Sequence, residues 1–315
     1  MNTTDSSAGA RLIEVAANHA GQRIDNFLLR TLKGVPKSLI YRLLRQGAVR
    51  VNRARIRPDY RVQTGDQLRI PPLRLPATGE QVPPPPALLA RLRDAVLWED
   101  RDLLVLDKPA GIAVHKGSGL AFGVIELVRT LRPELSFLEL AHRLDRETSG
   151  CLVLAKTPAA LRAIHDALRA GQLDKRYLAL VRGRWEQGIR EVAAPLRKVL
   201  RSGEHLMEVA EEGKPAITRF KPVSLFRQAS LLEVQLNTGR THQIRVHAAY
   251  CNHPVAGDDK YGAAGFNREM QQYGLRRLFL HAHSLVIVLG GREIAVSAPL
   301  DEELRRVLGH VETQR

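Results

Sequence analysis

Residues 141–150 read AHRLDRETSG, a polar stretch that leads directly into the apolar run CLVLA at residues 151–155. The apolar run predicts a buried strand, and polar residues next to the start of a strand typically form a loop at a sheet edge. Asp145 stands between two arginines, and a carboxylate near cations stays ionised at neutral pH. It could act as a nucleophile or electrostatic stabiliser, or it could cap the following turn through Thr148 or Ser149.

A second segment with chemical potential reads KRYLALVRG at residues 175–183. Its alternation predicts a strand, with Tyr177 near the beginning. A phenol there could stack on a nucleobase or exchange a proton with it. Taken by itself, however, the segment fits a core tyrosine with a satisfied hydroxyl better.

The third segment reads NTGRTHQIRVH at residues 237–247. Thr241 follows a glycine turn and is predicted to be the N-cap of a helix, which would aim free N–H groups at a phosphate or carboxylate. Arg245 would lie about one turn further on, where it could pair bidentately with a buried carboxylate. An ordinary capped helix with basic surface residues explains this segment equally well.

The charge of the chain points to a polyanionic partner. Its 315 residues contain 48 Lys and Arg against 33 Asp and Glu, which gives a net charge of +15 and a pI near 10.4. Proteins this basic usually bind nucleic acid, although a solvated basic surface is the plainer alternative. Residues 1–75 hold 14 basic and 5 acidic residues, whereas residues 94–315 hold 32 and 27. The excess therefore favours a dedicated binding module at the front of the chain.

Proline marks the predicted domain boundary. The prolines between residues 71 and 93 include the run 83–86, which favours a stiff, extended spacer. The prediction is a flexible N-terminus at 1–20, an RNA-binding domain at 21–75, a Pro-rich linker at 76–93 and a catalytic domain at 94–315.

The front domain is predicted to contain two short helices and a small sheet. Apolar residues recur at helical spacing over 24–32 and 39–44, and short strands follow at 49–51 and 67–70. The stretch from Gly21 to Ile70 resembles the S4-like RNA-binding domain. Basic side chains suited to a phosphate backbone lie away from the apolar positions or between the strands, and we expect the following to bind RNA: Lys37, Arg42, Arg45, Arg50, Arg53 and Arg55.

The larger domain is predicted to be α+β, on a mixed and mostly antiparallel sheet. Strands are predicted at 103–106, 151–155, 177–181, 231–236 and 279–288, and helices at 124–131, 158–170, 241–251 and 301–308. Strands outnumber helices, and most connections lack the regularity of alternating strands and helices.

The three segments, together with EDRDLLVLDKPAG at residues 99–111, resemble the RluA-type family of pseudouridine synthases. The resemblance implies isomerisation of uridines in large-subunit (23S) ribosomal RNA after the base is flipped out of the stack. It implies that Asp145 is the catalytic carboxylate, that Arg245 forms a salt bridge with it, and that Tyr177 packs against the base. Arg143 would fill the place that the base leaves.

Two alternatives stay open at this stage: a sibling synthase that modifies transfer RNA, and a non-catalytic S4-like RNA-binding factor for ribosome assembly. No cofactor and no metal are expected, since the histidines and the two cysteines lack metal-site spacing and no nucleotide-binding loop is present. No run approaches the roughly 20 apolar residues of a membrane span, and no signal peptide is evident. We expect a cytoplasmic monomer that meets ribosomal RNA or its assembly intermediates.

Overall fold

The chain forms two compact units, Met1–Pro83 and Pro84–Arg315. The computed structural model describes residues 10–32, 35, 37–73, 83–116, 122–201 and 203–313, with the side chains of Asn18, Lys37 and Ser38 left out. Within these residues, no helix is long and apolar enough to span a bilayer.

The first unit packs two helices and a four-stranded antiparallel sheet around one core. The order of strands in the described sheet is β1-β4-β2-β3. Ile24 and Leu28 on one helix and Ile40 and Leu44 on the other are buried with Leu68 of the sheet, as the helical spacing predicts. The elements are β1 (Arg11–Glu14), α1 (Ile24–Thr31), α2 (Lys37–Gln46), β2 (Arg50–Val51), β3 (Ala54–Arg55) and β4 (Gln67–Ile70).

The beginning of the described chain differs from the flexible N-terminus predicted for residues 1–20. Residues 11–14 form β1, which pairs antiparallel with β4 from Arg11↔Ile70 to Glu14↔Gln67. The pairing satisfies the backbone N–H and C=O groups of these residues. The sequence pattern did not predict a strand here. Residues 1–9 lie outside the described residues.

The predicted linker at 76–93 also differs from the structure. Residues 86–93 form the helix α3 (Pro86–Arg93), which buries Leu92. Pro86 occupies the first turn, where its missing N–H would have no helical partner in any case. The proline run therefore starts a helix, and the unit boundary falls between Pro83 and Pro84. Residues 76–82 of the predicted linker lie outside the described residues.

The second unit contains a large mixed sheet with helices packed against it. Its remaining elements are β5 (Val96–Glu99), β6 (Leu103–Lys108), α4 (Val124–Leu131), β7 (Glu139–Leu140), β8 (Ser149–Ala155), α5 (Pro158–Arg169), β9 (Leu173–Arg182), β10 (Arg190–Ala193), β11 (Leu196–Arg201), β12 (Glu204–Val209), β13 (Ile217–Leu225), β14 (Ala229–Leu236), α6 (Gln243–Tyr250), α7 (Ala264–Gln272), β15 (Leu280–Leu289), β16 (Arg292–Ser297) and α8 (Glu302–Glu312).

The main sheet has the strand order β10-β13-β14-β9-β15-β8-β6-β5, with β16 paired to β15 and β7 to β8. Strands β8 and β15 are parallel, and the other paired strands of this sheet are antiparallel within the described residues. The predicted α+β class with a mostly antiparallel sheet is confirmed. Strands β11 and β12 form a separate hairpin.

A glycine allows β8 and β15 to approach each other. Gly150 has a φ of +106°, and a Cβ atom there would lie 2.3 Å from the carbonyl oxygen of Ala282. No larger residue fits without displacing that backbone. The close approach fixes where β8 begins, and hence where the polar loop before it leaves the sheet.

Leu152→Ala is expected to destabilise the protein strongly, because Leu152 is fully buried in the largest core. The truncation should lower the free energy of unfolding by about 2–5 kcal/mol, measured by urea denaturation. Leu200 provides a matched control, since it is 64% exposed on the β11–β12 hairpin. Leu200→Ala should change the same free energy by no more than about 0.5 kcal/mol, and equal effects at the two positions would contradict the assigned core.

Candidate active site

A cleft of about 800 Å³ brings together the three segments that the sequence analysis singled out. Asp145 comes from the loop before β8, Tyr177 from β9, and Arg245 from α6. Arg143 also lines this cleft and is exposed. Segments separated by up to a hundred residues thus form one concave site, as is typical of ligand and active sites.

The loop that carries Asp145 is anchored by a buried lysine, Lys108. Lys108 is fully buried, and its Nζ donates to the carbonyl oxygens of Pro109 (2.9 Å), Ile112 (2.9 Å) and Arg146 (3.1 Å). Burial lowers the pKa of Lys108 to about 7. Gly111 and Arg146 add a reciprocal pair of hydrogen bonds, at 2.9 and 3.0 Å. The residue directly after Asp145 is therefore held in place.

The side chain of Asp145 is half-buried and faces the cleft. The following turn closes through its backbone, since the carbonyl of Asp145 accepts from the Thr148 N–H at 3.2 Å. Within the described residues, its carboxylate accepts no hydrogen bond and forms no ion pair. The turn-cap alternative thus finds no support in the side chain, which is left available to a ligand.

Tyr177 lies on the floor of the cleft and is only 5% exposed. Burial, together with the negative charge of Asp145, raises the pKa of its phenol well above the usual value. The hydroxyl makes no hydrogen bond within the part of the chain that the structure describes. At neutral pH Tyr177 is a protonated phenol with an apolar ring against the cleft.

Arg245 forms its ion pair with Asp258, which differs from the predicted salt bridge to Asp145. Its Nε and Nη2 donate to the two carboxylate oxygens of Asp258 at 2.7 and 2.6 Å, and Asp259 lies 3.4 Å from Nη2. Both Arg245 and Asp258 are buried. Burial opposes ionisation of Asp258, but Arg245 outweighs it and holds the pKa of Asp258 below its usual value.

Asp258 captures the arginine because its turn is preorganised. One of its carboxylate oxygens also accepts the backbone N–H groups of Lys260 (2.9 Å) and Tyr261 (3.0 Å). A carboxylate with several donors remains ionised even when buried. Arg245 stays close enough to Asp145 for their charges to interact.

The helix that carries Arg245 begins later than predicted. It starts at Gln243, and the residue before it, His242, has a left-handed backbone with a φ of +55°. The prediction that Thr241 is the N-cap is therefore wrong. Sequence reasoning missed His242 as a member of the cleft, because residue spacing does not reveal a left-handed backbone, which histidine tolerates better than most residues.

His142 supports the loop that carries Asp145. Its Nε2 accepts the N–H of Val153 on β8 at 3.1 Å, so it joins the loop to the strand. Burial lowers the pKa of His142 to about 3, and the ring is neutral at physiological pH. Within the described residues, no group of three or more His, Cys, Asp or Glu side chains is arranged to hold a metal ion.

Some of the predicted RNA-binding residues gather on the exposed face of the small sheet in the first unit. Arg50 and Arg53 line a shallow depression there with Leu12 and Arg69. Arg55 pairs with Arg50 across β2 and β3. Arg69, which the sequence analysis did not select, belongs to the same surface because it alternates with buried Leu68 and Ile70.

The other predicted RNA-binding residues of this unit lie on α2. Arg42 and Arg45 are exposed there, and they do not line the depression formed by the sheet arginines. The side chain of Lys37 lies outside the described residues.

Comparison with known proteins identifies the class to which this fold and cleft belong. The family model described as RNA pseudouridylate synthase matches residues 102–250, and the S4 domain model matches residues 22–68. The chain belongs to the RNA pseudouridylate synthase family, whose members are isomerases that convert uridine to pseudouridine in RNA.

Two bacterial relatives extend the similarity over nearly the whole chain. Ribosomal large subunit pseudouridine synthase C of Pasteurella multocida is 51% identical over 97% of this chain and 95% of its own length. The protein of the same name from Escherichia coli K12 is 51% identical over 97% and 98%.

Solved structures agree with the fold. The structure of human RNA Pseudouridylate Synthase Domain Containing 4 superposes with a TM-score of 0.60 and 25% identity. It covers 72% of this chain and 96% of its own.

Asp258→Ala should destabilise the protein severely, because it leaves the buried Arg245 guanidinium without its partner. Removing one member of a buried ion pair typically costs about 3–5 kcal/mol of unfolding free energy, measurable by urea denaturation. Asp259→Ala is the matched control, since Asp259 is 77% exposed and contacts the same nitrogen at 3.4 Å. If both variants were equally stable, Asp258 could not be the residue that holds Arg245.

Proposed function

We propose that this enzyme isomerises uridines in large-subunit ribosomal RNA, with Asp145 as the reacting carboxylate. The names of the two 51%-identical bacterial relatives support the choice of RNA. The observation that carries the assignment of Asp145 is that its carboxylate faces the cleft and has no hydrogen-bond or ion-pair partner among the described residues. An unpartnered carboxylate next to a protonated phenol suits attack on, or elimination from, a bound nucleoside.

The overall reaction needs no external reactant. The N1–C1′ bond of uridine breaks, the uracil turns within the cleft, C5 bonds to C1′, and the C5 proton is lost while N1 regains one. Asp145 would either add to the substrate or assist elimination in the first step. Both routes use an ionised carboxylate.

Tyr177 is proposed to pack against the uracil and to hold it near Asp145. Its raised pKa disfavours a role as the base that removes the C5 proton, because almost no phenolate exists at neutral pH. Exposed Arg143 at the edge of the cleft is proposed to occupy the space that the flipped base leaves in the RNA.

Asp145→Asn is expected to abolish turnover, lowering kcat by about 10⁴-fold or more as loss of a nucleophilic group typically does. The amide has the same shape but cannot attack or accept a proton. Release of tritium from C5-labelled uridine in a large-subunit ribosomal RNA transcript measures the rate. RNA affinity, measured by filter binding, should change little, because Asp145 makes no charge-neutralising contact with phosphate.

Asp259→Asn is the control for this substitution, since Asp259 is exposed and near the same region. It should retain most of the wild-type turnover. Substantial activity of Asp145→Asn would overturn the assignment of Asp145. A wild-type enzyme that is inactive on large-subunit RNA but active on transfer RNA would overturn the proposed substrate.

We also propose that the arginine-bearing sheet face of the first unit binds the phosphate backbone of this RNA. Arg50, Arg53 and Arg69 are exposed around one depression. The backbone of the turn between β2 and β3 is held by Asn52, which donates to Asp66 (2.8 Å) and accepts from the backbone of Gln67 (2.9 Å). Guanidinium groups gathered on one surface suit phosphate contacts that position the enzyme on its RNA.

Replacing Arg50, Arg53 and Arg69 by alanine should weaken RNA binding and reduce its salt dependence. The slope of log K against log salt concentration should fall by about 1 for each lost phosphate contact, measured by fluorescence anisotropy between low and moderate salt. A charge-matched triple variant at exposed Arg268, Arg305 and Arg306 of the second unit should have a smaller effect. Equal slopes for the two variants would refute the proposed surface.

That the enzyme is a monomer and that it acts in the cytoplasm both stay predictions. That its substrate is free ribosomal RNA or an assembly intermediate is a prediction too. Pseudouridine mapping of ribosomal RNA from a strain without this gene would identify the modified uridines. Mapping free RNA and assembling particles separately would show which of them is the substrate.

A further inference from the structure

His242 occupies a strained position at the edge of the active-site cleft. Its backbone is left-handed, with a φ of +55°, directly before α6. Non-glycine residues in this region are uncommon and concentrate at functional sites, where the surrounding structure must hold them. Here the neighbouring Gln243 does so.

The side chain of Gln243 holds the backbone around His242 through four hydrogen bonds. Its Oε1 accepts from the N–H of Arg240 (3.0 Å) and from the hydroxyl of Thr238 (2.9 Å). Its Nε2 donates to the carbonyl of Ile217 (3.0 Å) and to the hydroxyl of Thr218 (2.9 Å). The position of His242 is thus imposed by a buried and fully used amide.

The imidazole of His242 is oriented by Tyr261. The Tyr261 oxygen accepts the backbone N–H of Met207 at 2.9 Å and lies 2.8 Å from Nδ1 of His242. Burial raises the pKa of the Tyr261 phenol, so the hydroxyl keeps its proton and can donate it to Nδ1. A Tyr261 hydroxyl that donates to Nδ1 selects the tautomer with its proton on Nε2.

The other ring nitrogen is unused by the protein. Within the described residues, Nε2 of His242 has no hydrogen-bond partner, while the side chain lines the cleft. Burial lowers the pKa of His242, against the opposing effect of the Asp145 charge, and Arg245, Lys260 and Asp258 also act on the ring. A neutral imidazole therefore presents an N–H group in the same cleft as the reacting carboxylate.

We propose that His242 is a further catalytic residue, whose Nε2–H donates a hydrogen bond to a carbonyl oxygen of the uracil as the N1–C1′ bond breaks. The inference rests on the proposed reaction at Asp145. The electron pair of the broken bond moves to N1 and delocalises onto O2 and O4, while the Nε2 proton stays on His242. Asp145 either forms the new bond to C1′ or takes the C2′ proton as a C1′–C2′ double bond forms. A preorganised donor aimed at developing charge typically contributes about 10²–10³-fold to kcat.

Tyr261 is the positioning residue in this arrangement. It sets the tautomer of His242, and its ring also lies against the Arg245 guanidinium, 5.1 Å from its centroid. His242 is therefore held by the turn at residues 258–261, which also holds Arg245.

Two substitutions of His242 distinguish a hydrogen-bond donor to the substrate from a residue that only supports the structure. His242→Asn suits a left-handed backbone, and its short amide can still reach Tyr261, but it places nothing at the position of Nε2. His242→Gln places an amide N–H near that position and gives up the contact with Tyr261. On the ribosomal RNA transcript, His242→Asn should lower kcat about 100-fold at nearly unchanged KM. His242→Gln should lower kcat about 10-fold or less.

Tyr261→Phe should lower kcat in the wild-type background but add little in the His242→Asn background, since the two residues act as one unit. His253→Gln is the control, because His253 contacts the carbonyl of Arg182 and lies outside the cleft. It should leave kcat unchanged.

If His242→Asn were as active as His242→Gln, or more active, the proposed role of His242 as a hydrogen-bond donor would be overturned. His242 would then be a structural residue. Additive losses for Tyr261→Phe and His242→Asn would overturn the positioning role. Asp145→Asn run in parallel separates this failure from that of the proposed reaction. If Asp145→Asn is inactive while His242→Asn is fully active, only the donor is refuted.

Discussion

The buried ion pair between Arg245 and Asp258 is the interaction on which the site depends most. Two opposite charges removed from water stabilise each other only if geometry is good and every remaining donor and acceptor is used. Here two short hydrogen bonds join the pair, and two backbone N–H groups occupy the carboxylate as well. The pair ties α6 to the turn at 258–261, and that turn also supplies Tyr261. A single buried contact thereby fixes the arginine, the tyrosine that touches it and the histidine that the tyrosine orients.

The two aspartates near this arginine show how environment separates residues of one type. Asp258 is saturated with donors and serves the fold, whereas Asp145 has no protein partner within the described residues and is half-exposed to the cleft. The loop that carries Asp145 is nevertheless rigid, because Lys108 and His142 hold it by its backbone and its neighbours. The hydrogen bonds of this region thus support the loop and leave the carboxylate of Asp145 available to a ligand.

Much of this could be predicted from the sequence, and the exceptions have physical causes. Helical periodicity placed α1 and α4 to within a residue or two, and the motifs brought Asp145, Tyr177 and Arg245 to one cleft. Which carboxylate would pair with Arg245 was not predictable, because a partner 13 residues away is chosen by the shape of a turn. The start of α6 was placed too early because a threonine suited to capping precedes a histidine that adopts the left-handed conformation. Helix α3 was missed because the same prolines that forbid a helix interior are favourable in its first turn.

The parallel pairing of β8 with β15 has a consequence for the order in which the enzyme is made. Ser149, at the end of the loop that carries Asp145, contacts His281 at 2.8 Å across 132 residues of chain, and Gly150 packs on the backbone of Ala282. A protein is synthesised from its N-terminus, and its N-terminal domain generally folds first. The loop of Asp145 therefore lacks its neighbouring strand until residues 280–289 have left the ribosome. The nascent chain can fold its first unit early, but the cleft is complete only after β15 has been synthesised.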